Sequence, residues 1–165
     1  MQTDQLNALV AARAYQFASG MHDLGRHSTH KMRLDLTDER PAFWPRHRLS
    51  RVEWDIIDEK VAELARYRLI EPATGNYAAA TVLPVKKDAE GNYTNRRMCG
   101  DYCALNLKTE EDQYPMPTPE DIFDRIEGCQ YFSIMDMRHG FNQIEMLPEH
   151  KERTAFWVSN HRWQW

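Results

Sequence analysis

Apolar residues near the N-terminus recur with the 3.6-residue period of a helix at Leu6, Leu9, Val10, Ala14 and Phe17, and Gly20 is placed to take a left-handed cap. The pattern predicts a short amphipathic helix over 5–18. His22, His27 and His30 follow closely, but no cysteine or spaced carboxylate completes a four-ligand metal set, and Gly25 and Ser28 mark a loop. We read them as loop histidines. Met32, Leu34 and Leu36 alternate with Lys31, Arg33 and Asp35, the period of a half-buried strand, before Pro41 and Pro45 force an extended connector.

Ser50 and Glu53 have the spacing of a capping box, and Trp54, Ile57, Val61 and Leu64 continue one helical face to about Arg68. Pro72 and Gly75 end that segment. Ala80–Lys87 and Arg96–Tyr102 read as two strands of a hairpin turning at Asp88-Ala89-Glu90-Gly91-Asn92. A second helix is signalled by Thr118 as N-cap, Pro119 at the first helical position, an Ile122, Phe123 and Ile126 face, and a closing Gly128. Tyr131–Asp136 reads as a strand, followed by a turn or short helix around Arg138 to Phe141. Alternation at Ile144 and Met146, a loop through Pro148 and a strand over Thr154–Val158 complete the pattern. No repeat, low-complexity tract or domain linker is visible. The ending Trp163-Gln164-Trp165, with no polar tail, reads as a truncation.

Composition narrows the classes. A chain of 165 residues is one domain or part of one, and 42% hydrophobic residues argue against wholesale disorder. With 21 Lys+Arg against 25 Asp+Glu the net charge is −4, so polyanion binding by the whole surface is excluded and any nucleic-acid site must be a local patch. The longest apolar run, Ala78–Leu83, is far short of the roughly 20 residues of a membrane span, and the first residues lack a secretory leader. A reducing intracellular setting fits. Cys99, Cys103 and Cys129 form no Cys-x-x-Cys pair and are expected to be packed thiols.

Two places invite chemistry. Asp136 at the end of an apolar strand, before a tight turn, sets a carboxylate where a hard cation can reach it, although a strand-end Asp also serves simply as a turn-former. Lys86 and Lys87 on one hairpin arm, with Arg96 and Arg97 on the other, place four cations on one hairpin. A triphosphate or a nucleic-acid backbone is their natural counterion; a charged edge strand that resists aggregation is the plainer alternative.

Seven blocks then carry a resemblance: Leu83-Pro-Val-Lys-Lys-Asp88, Arg97-Met-Cys-Gly-Asp-Tyr102, Leu105-Asn106, Tyr114-Pro-Met-Pro117, Phe132-Ser-Ile-Met-Asp136, Gly140-Phe-Asn-Gln-Ile144 and Lys151-Glu-Arg-Thr-Ala-Phe156. Their order, from about His30 to Trp165, resembles that of reverse transcriptases of gypsy-type long-terminal-repeat retrotransposons. The resemblance implies an α+β fold, the fingers of a right-hand polymerase plus the first part of the palm, truncated. It divides the chain into a helix and connector (1–45), fingers (46–131) and an incomplete palm (132–165). It implies an RNA-directed DNA polymerase that extends a primer on an RNA or DNA template with deoxynucleoside triphosphates, and an intracellular, cytoplasmic setting, with a virus-like particle or the nucleus as alternatives. Protease, ribonuclease H and integrase domains are the implied polyprotein neighbours, and no membrane partner is implied.

Residue by residue, Asp136 matches the first catalytic aspartate, which with the carbonyl of Met137 contacts two Mg2+ ions. Lys86 and Arg97 match cations that clamp the triphosphate. Arg138, His139 and Gly140 match backbone positions near the phosphates, and Phe141 matches the aromatic that excludes a 2′-hydroxyl. Asp101 and Asn106 match structural fingers positions. Cys103 departs from an arginine usual in the family, and His139 from a small or acidic residue. The later Tyr-x-Asp-Asp block of the palm is absent from these residues, so the chain by itself is expected to be inactive. The alternative is a non-catalytic nucleic-acid-binding relic of a decayed retroelement.

Overall fold

The computed structural model describes residues 2–20, 23–85, 87, 90–91 and 96–165. In chain order these form α1 (Gln2–Ala12), α2 (Arg51–Arg66), β1 (Glu71–Pro72), β2 (Ala80–Val82), β3 (Cys99–Asp101), α3 (Cys103–Asn106), α4 (Pro119–Ile126), β4 (Phe156–Val158) and β5 (His161–Gln164). Two compact units interleave along the sequence: a larger one of His30–Asp112 with Glu145–Trp165, and a smaller one of Met1–Thr29 with Gln113–Ile144. Each unit is built from two chain segments, which is why no linker composition announces a boundary.

In the larger unit, α2 begins where the capping box predicts. Ser50 Oγ accepts from the Glu53 amide at 3.3 Å, and Glu53 Oε2 accepts from the Ser50 amide at 2.9 Å, so each satisfies a donor that a helix start leaves free. Its far end closes as a Schellman motif: the Leu69 amide donates to Leu64 O and the Arg68 amide to Ala65 O, both at 3.0 Å. The left-handed position is held by Arg68 at φ 55°. The buried face of α2, Ile57 and Val61, packs on Ala79, Leu83, Phe156 and Val158.

The predicted hairpin pairing is present in the register Ala80↔Asp101, Thr81↔Gly100 and Val82↔Cys99. The strand stops at Val82 before Pro84, which has no amide to donate, although its carbonyl still accepts from the Arg97 amide at 3.3 Å. The predicted strand at Thr154–Val158 is β4, and it pairs with β5, which pairs in turn with β1 (Glu71↔Gln164). Ala79 joins the two sheets, donating to Ala155 O at 2.7 Å and accepting from the Trp157 amide at 3.0 Å. A second cluster gathers Ala42, Tyr77, Leu105 and Ala155, with Leu34 and Leu36 packed against it.

The Lys151–Phe156 block holds this unit together. Lys151 Nζ pairs with Glu71 at 2.9 Å, and Arg153 donates through Nη1 to the Leu34 carbonyl while its Nη2 reaches both Glu39 carboxylate oxygens at 3.0 and 3.2 Å. The Tyr102 hydroxyl donates to Thr154 O at 2.7 Å, and Thr154 Oγ1 accepts from the Trp165 amide at 3.0 Å. Burial pushes the Tyr102 phenol well above its ordinary pKa, so it remains a donor. Phe156, 1% exposed, is among the largest fully buried side chains.

Several expectations are corrected. The segment Lys31–Leu36 is not a continuous strand; it makes separate bridges, Met32↔Met146 and Leu36↔Thr109, because its two ends find different partners. The N-terminal helix ends at Ala12, followed by a 3-10 turn over Ala14–Gln16, and Gly20 is not left-handed. In the smaller unit, α4 has the predicted cap, Thr118 Oγ1 accepting from the Asp121 amide at 3.2 Å, and Gly128 closes it at φ 76°. Tyr131–Asp136 forms no strand: a strand requires lateral partners for its backbone groups, and among the described residues none pairs with it. All three cysteines are exposed rather than packed. Among the described residues, no helix is long and apolar enough to cross a membrane.

Candidate functional site

Asp136 and its turn lie in the smaller unit. Asp136 is exposed on a stretch without regular secondary structure, and a turn at Arg138–His139 leads into a 3-10 turn over Gly140–Gln143. The turn pivots on His139, held left-handed at φ 46°, ψ 49°, while Gly140 keeps an ordinary φ. His139 O accepts from the Asn142 amide at 2.8 Å, and Gln143 Nε2 donates to Arg138 O at 2.9 Å. Gln143 O in turn accepts from the His27 amide at 2.8 Å. Gln143 therefore braces the turn from both sides, a role the spacing alone did not reveal.

In the consecutive run Asp136, Met137, Arg138, His139, Gly140 and Phe141, the first two residues lead into the braced turn and the other four lie on it. Phe141 is 99% exposed and takes no part in a core. A two-metal site requires more ligands than one carboxylate. Among the described residues, no group of three or more His, Cys, Asp or Glu could hold a metal ion. Asp136 brings a single exposed carboxylate, and the described residues do not by themselves form such a site.

Of the hairpin cations, Lys86 and the turn residues Asp88, Ala89 and Asn92 lie outside the described residues, as does His22 in the N-terminal loop. Arg97 is exposed in the larger unit, whereas Arg96 Nη1 pairs with Glu53 Oε1 at 2.6 Å. The hydrogen bonds from Ser50 and then from Arg96 hold the Glu53 carboxyl below its ordinary range. One of the four cations is therefore committed to anchoring the hairpin on α2.

At the departure site, the Cys103 amide donates to Asp101 Oδ1 at 3.1 Å. Hydrogen bonding from the Cys103 thiol and amide lowers the Asp101 pKa, and the same carboxylate raises that of the thiol. Cys103 is thus kept as a neutral thiol, which is a poor nucleophile.

The fold has known counterparts. It is similar to crystal structures of prototype foamy virus protease-reverse transcriptase, with a TM-score of 0.76 at 18% identity over 99% of this chain and 21% of that chain. A second such structure matches at a TM-score of 0.75. The fold class is therefore the mixed α+β architecture of a reverse transcriptase.

By sequence the chain is similar to the retrovirus-related Pol polyprotein from transposon 297 of Drosophila melanogaster, 34% identical over 130 residues, which cover 78% of this chain and 12% of that polyprotein. The Pol polyprotein from transposon 412 of the same organism is 28% identical over 145 residues, covering 87% and 12%. The enzymatic polyprotein of cauliflower mosaic virus (strain NY8153) is 30% identical over 117 residues, covering 71% and 17%. The chain belongs to the gypsy-type reverse transcriptase family and spans about an eighth of the transposon polyproteins it matches. No profile of a known protein family matches it.

Proposed function

We propose that the chain is the fingers and the opening of the palm of an RNA-directed DNA polymerase, with the subdomain limits 46–131 and 132–165. In this reading Asp136, with the carbonyl of Met137, supplies the first ligands to two Mg2+ ions. Bound metal would activate a primer 3′-hydroxyl and stabilise the departing pyrophosphate. Lys86 and Arg97 face the triphosphate, and the planar Arg97 guanidinium suits bidentate contact with phosphate oxygens. The braced turn offers the backbone of Arg138, His139 and Gly140 beside the phosphates. The exposed Phe141 ring is free to bound the sugar pocket and exclude a 2′-hydroxyl.

The observation that supports this reading is the fold likeness over 99% of the chain combined with motif blocks in family order. Primed RNA or DNA templates and deoxynucleoside triphosphates are the proposed partners, alongside protease, ribonuclease H and integrase domains, in an intracellular setting. The test is a chimera in which residues 30–165 replace the homologous segment of the transposon 297 polymerase. We expect magnesium-dependent primer extension, a loss of roughly 100-fold or more on Asp136→Asn, and none by the 165-residue chain alone. A chimera that folds and binds primer-template but incorporates nothing would reject the catalytic reading and leave a non-catalytic nucleic-acid-binding module.

A further inference from the structure

The turn that follows Asp136 is not shaped by packing. No residue of the Gly140–Gln143 3-10 turn is buried, and the residue that pivots it, His139, carries a β-carbon in the left-handed region at φ 46°, ψ 49°, with no side-chain cap. Such a conformation persists only where neighbouring bonds over-determine it. Hydrogen bonds supply this. The Asn142 amide donates to His139 O at 2.8 Å, Gln143 Nε2 reaches back over five residues to Arg138 O at 2.9 Å, and the His27 amide donates to Gln143 O at 2.8 Å. A β-carbon at Gly25 would lie 3.9 Å from Gln143 Oε1, so the loop before His27 passes within van der Waals reach of the same side chain. The Thr29 amide donates to His27 Nδ1 at 3.4 Å, which folds the end of the loop on itself while the His27 amide stays turned to Gln143. Gly25-Arg26-His27 carries none of the seven sequence blocks, yet it is bonded to a residue that spans the turn.

We propose that Gln143 is a positioning residue for an incoming nucleotide: its side chain on Arg138 O and its main chain on the His27 amide hold the Arg138–Gly140 backbone in the shape that meets the triphosphate. The inference rests on the polymerase reading of this turn and adds to it a role for Gln143 and a supporting loop upstream. The chemistry asks for glutamine. Asparagine is one methylene shorter, glutamate offers no donor to Arg138 O, and an apolar side chain leaves that carbonyl without its intramolecular partner. Release of either tie frees the left-handed tip to relax and displaces backbone groups around the phosphates. A misplacement of about 1 Å at a reacting centre costs on the order of 100-fold in rate.

The test uses a chimera carrying residues 23–165 in the transposon 297 polymerase, together with amide hydrogen exchange on the 165-residue chain. Gln143→Met, similar in length but without a donor, should lower kcat/KM for deoxynucleotides by roughly 10- to 100-fold, with primer-template Kd and thermal midpoint unchanged. His27→Pro, which removes the amide, should do the same, whereas His27→Ala keeps the amide and should behave as wild type. Because both ties act on one turn, the double variant should lose little more than the worse single one. In the 165-residue chain, Gln143→Met should speed exchange of the Asn142 and His27 amides. An active chimera whose kcat/KM is unmoved by Gln143→Met and by His27→Pro would overturn the proposal. So would a loss matched by an equal loss of primer-template affinity or of thermal midpoint, which makes Gln143 merely structural. Unchanged exchange at both amides rejects the tie whatever the chimera does. An unsubstituted chimera that folds and binds primer-template but incorporates nothing instead rejects the polymerase reading, and the nucleotide role with it.

Discussion

Arg96 Nη1 donates to Glu53 Oε1 at 2.6 Å while the other oxygen of that carboxylate accepts from the Ser50 amide at 2.9 Å. One side chain thereby caps α2 and moors the second hairpin arm. Adjacent arginines that look equivalent in sequence consequently have different work, one structural and one available to a ligand.

The pair separates in mutants. Arg96→Ala should lower the thermal midpoint, by an amount that shrinks in high salt because the partners are partly exposed. Arg97→Ala should change stability by no more than about 0.5 kcal/mol and instead raise the nucleotide KM of the chimeric polymerase. Melting curves at two salt concentrations, with steady-state kinetics, check both.

The Glu53 carboxyl is held below its ordinary value of 4.5 by Ser50 and Arg96. Its folded pKa lies below the unfolded one, so its contribution is fully present above about pH 4.5 and disappears as pH falls through the depressed folded value. Glu53→Gln retains the helix cap without the charge. It should flatten the acid limb of a stability–pH curve and leave the shape near neutrality unchanged. Urea unfolding between pH 3 and 7 measures this.

Arg68 occupies the left-handed closing position of α2, where a Cβ crowds the following carbonyl. Arg68→Gly should stabilise the chain by about 0.5 to 1 kcal/mol, net of the greater freedom glycine gains when unfolded. A shift of the urea midpoint to higher concentration with an unchanged slope is the expected result.

Two phenylalanines at opposite extremes of exposure make a further contrast. Phe156, 1% exposed within the main cluster, should cost about 3 to 5 kcal/mol on replacement by alanine. Phe141, 99% exposed, should cost less than about 0.5 kcal/mol as Phe141→Val. In the chimera the same change should narrow the preference for deoxy- over ribonucleotides, read as the ratio of their kcat/KM values. An unchanged ratio would remove the steric role from Phe141.

What the sequence determined on its own is local. The starts of α2 and α4 are legible because a capping box is closed within four residues, and the β2–β3 pairing because its two strands lie near each other in the sequence. The family blocks around Asp136 and Arg97 are likewise contiguous runs. Tertiary structure decided whatever depends on a distant partner. Glu71 pairs with Gln164 across most of the chain, and Tyr102 reaches Thr154. Arg153 collects Leu34 and Glu39, so a block read only as a family signature is a structural hub. Tyr131–Asp136 has the composition of a strand, yet composition cannot supply a neighbouring ladder, and the backbone remains unpaired among the described residues. Periodicity records which side chains prefer burial; only the assembled fold settles which backbone groups and charges find one another.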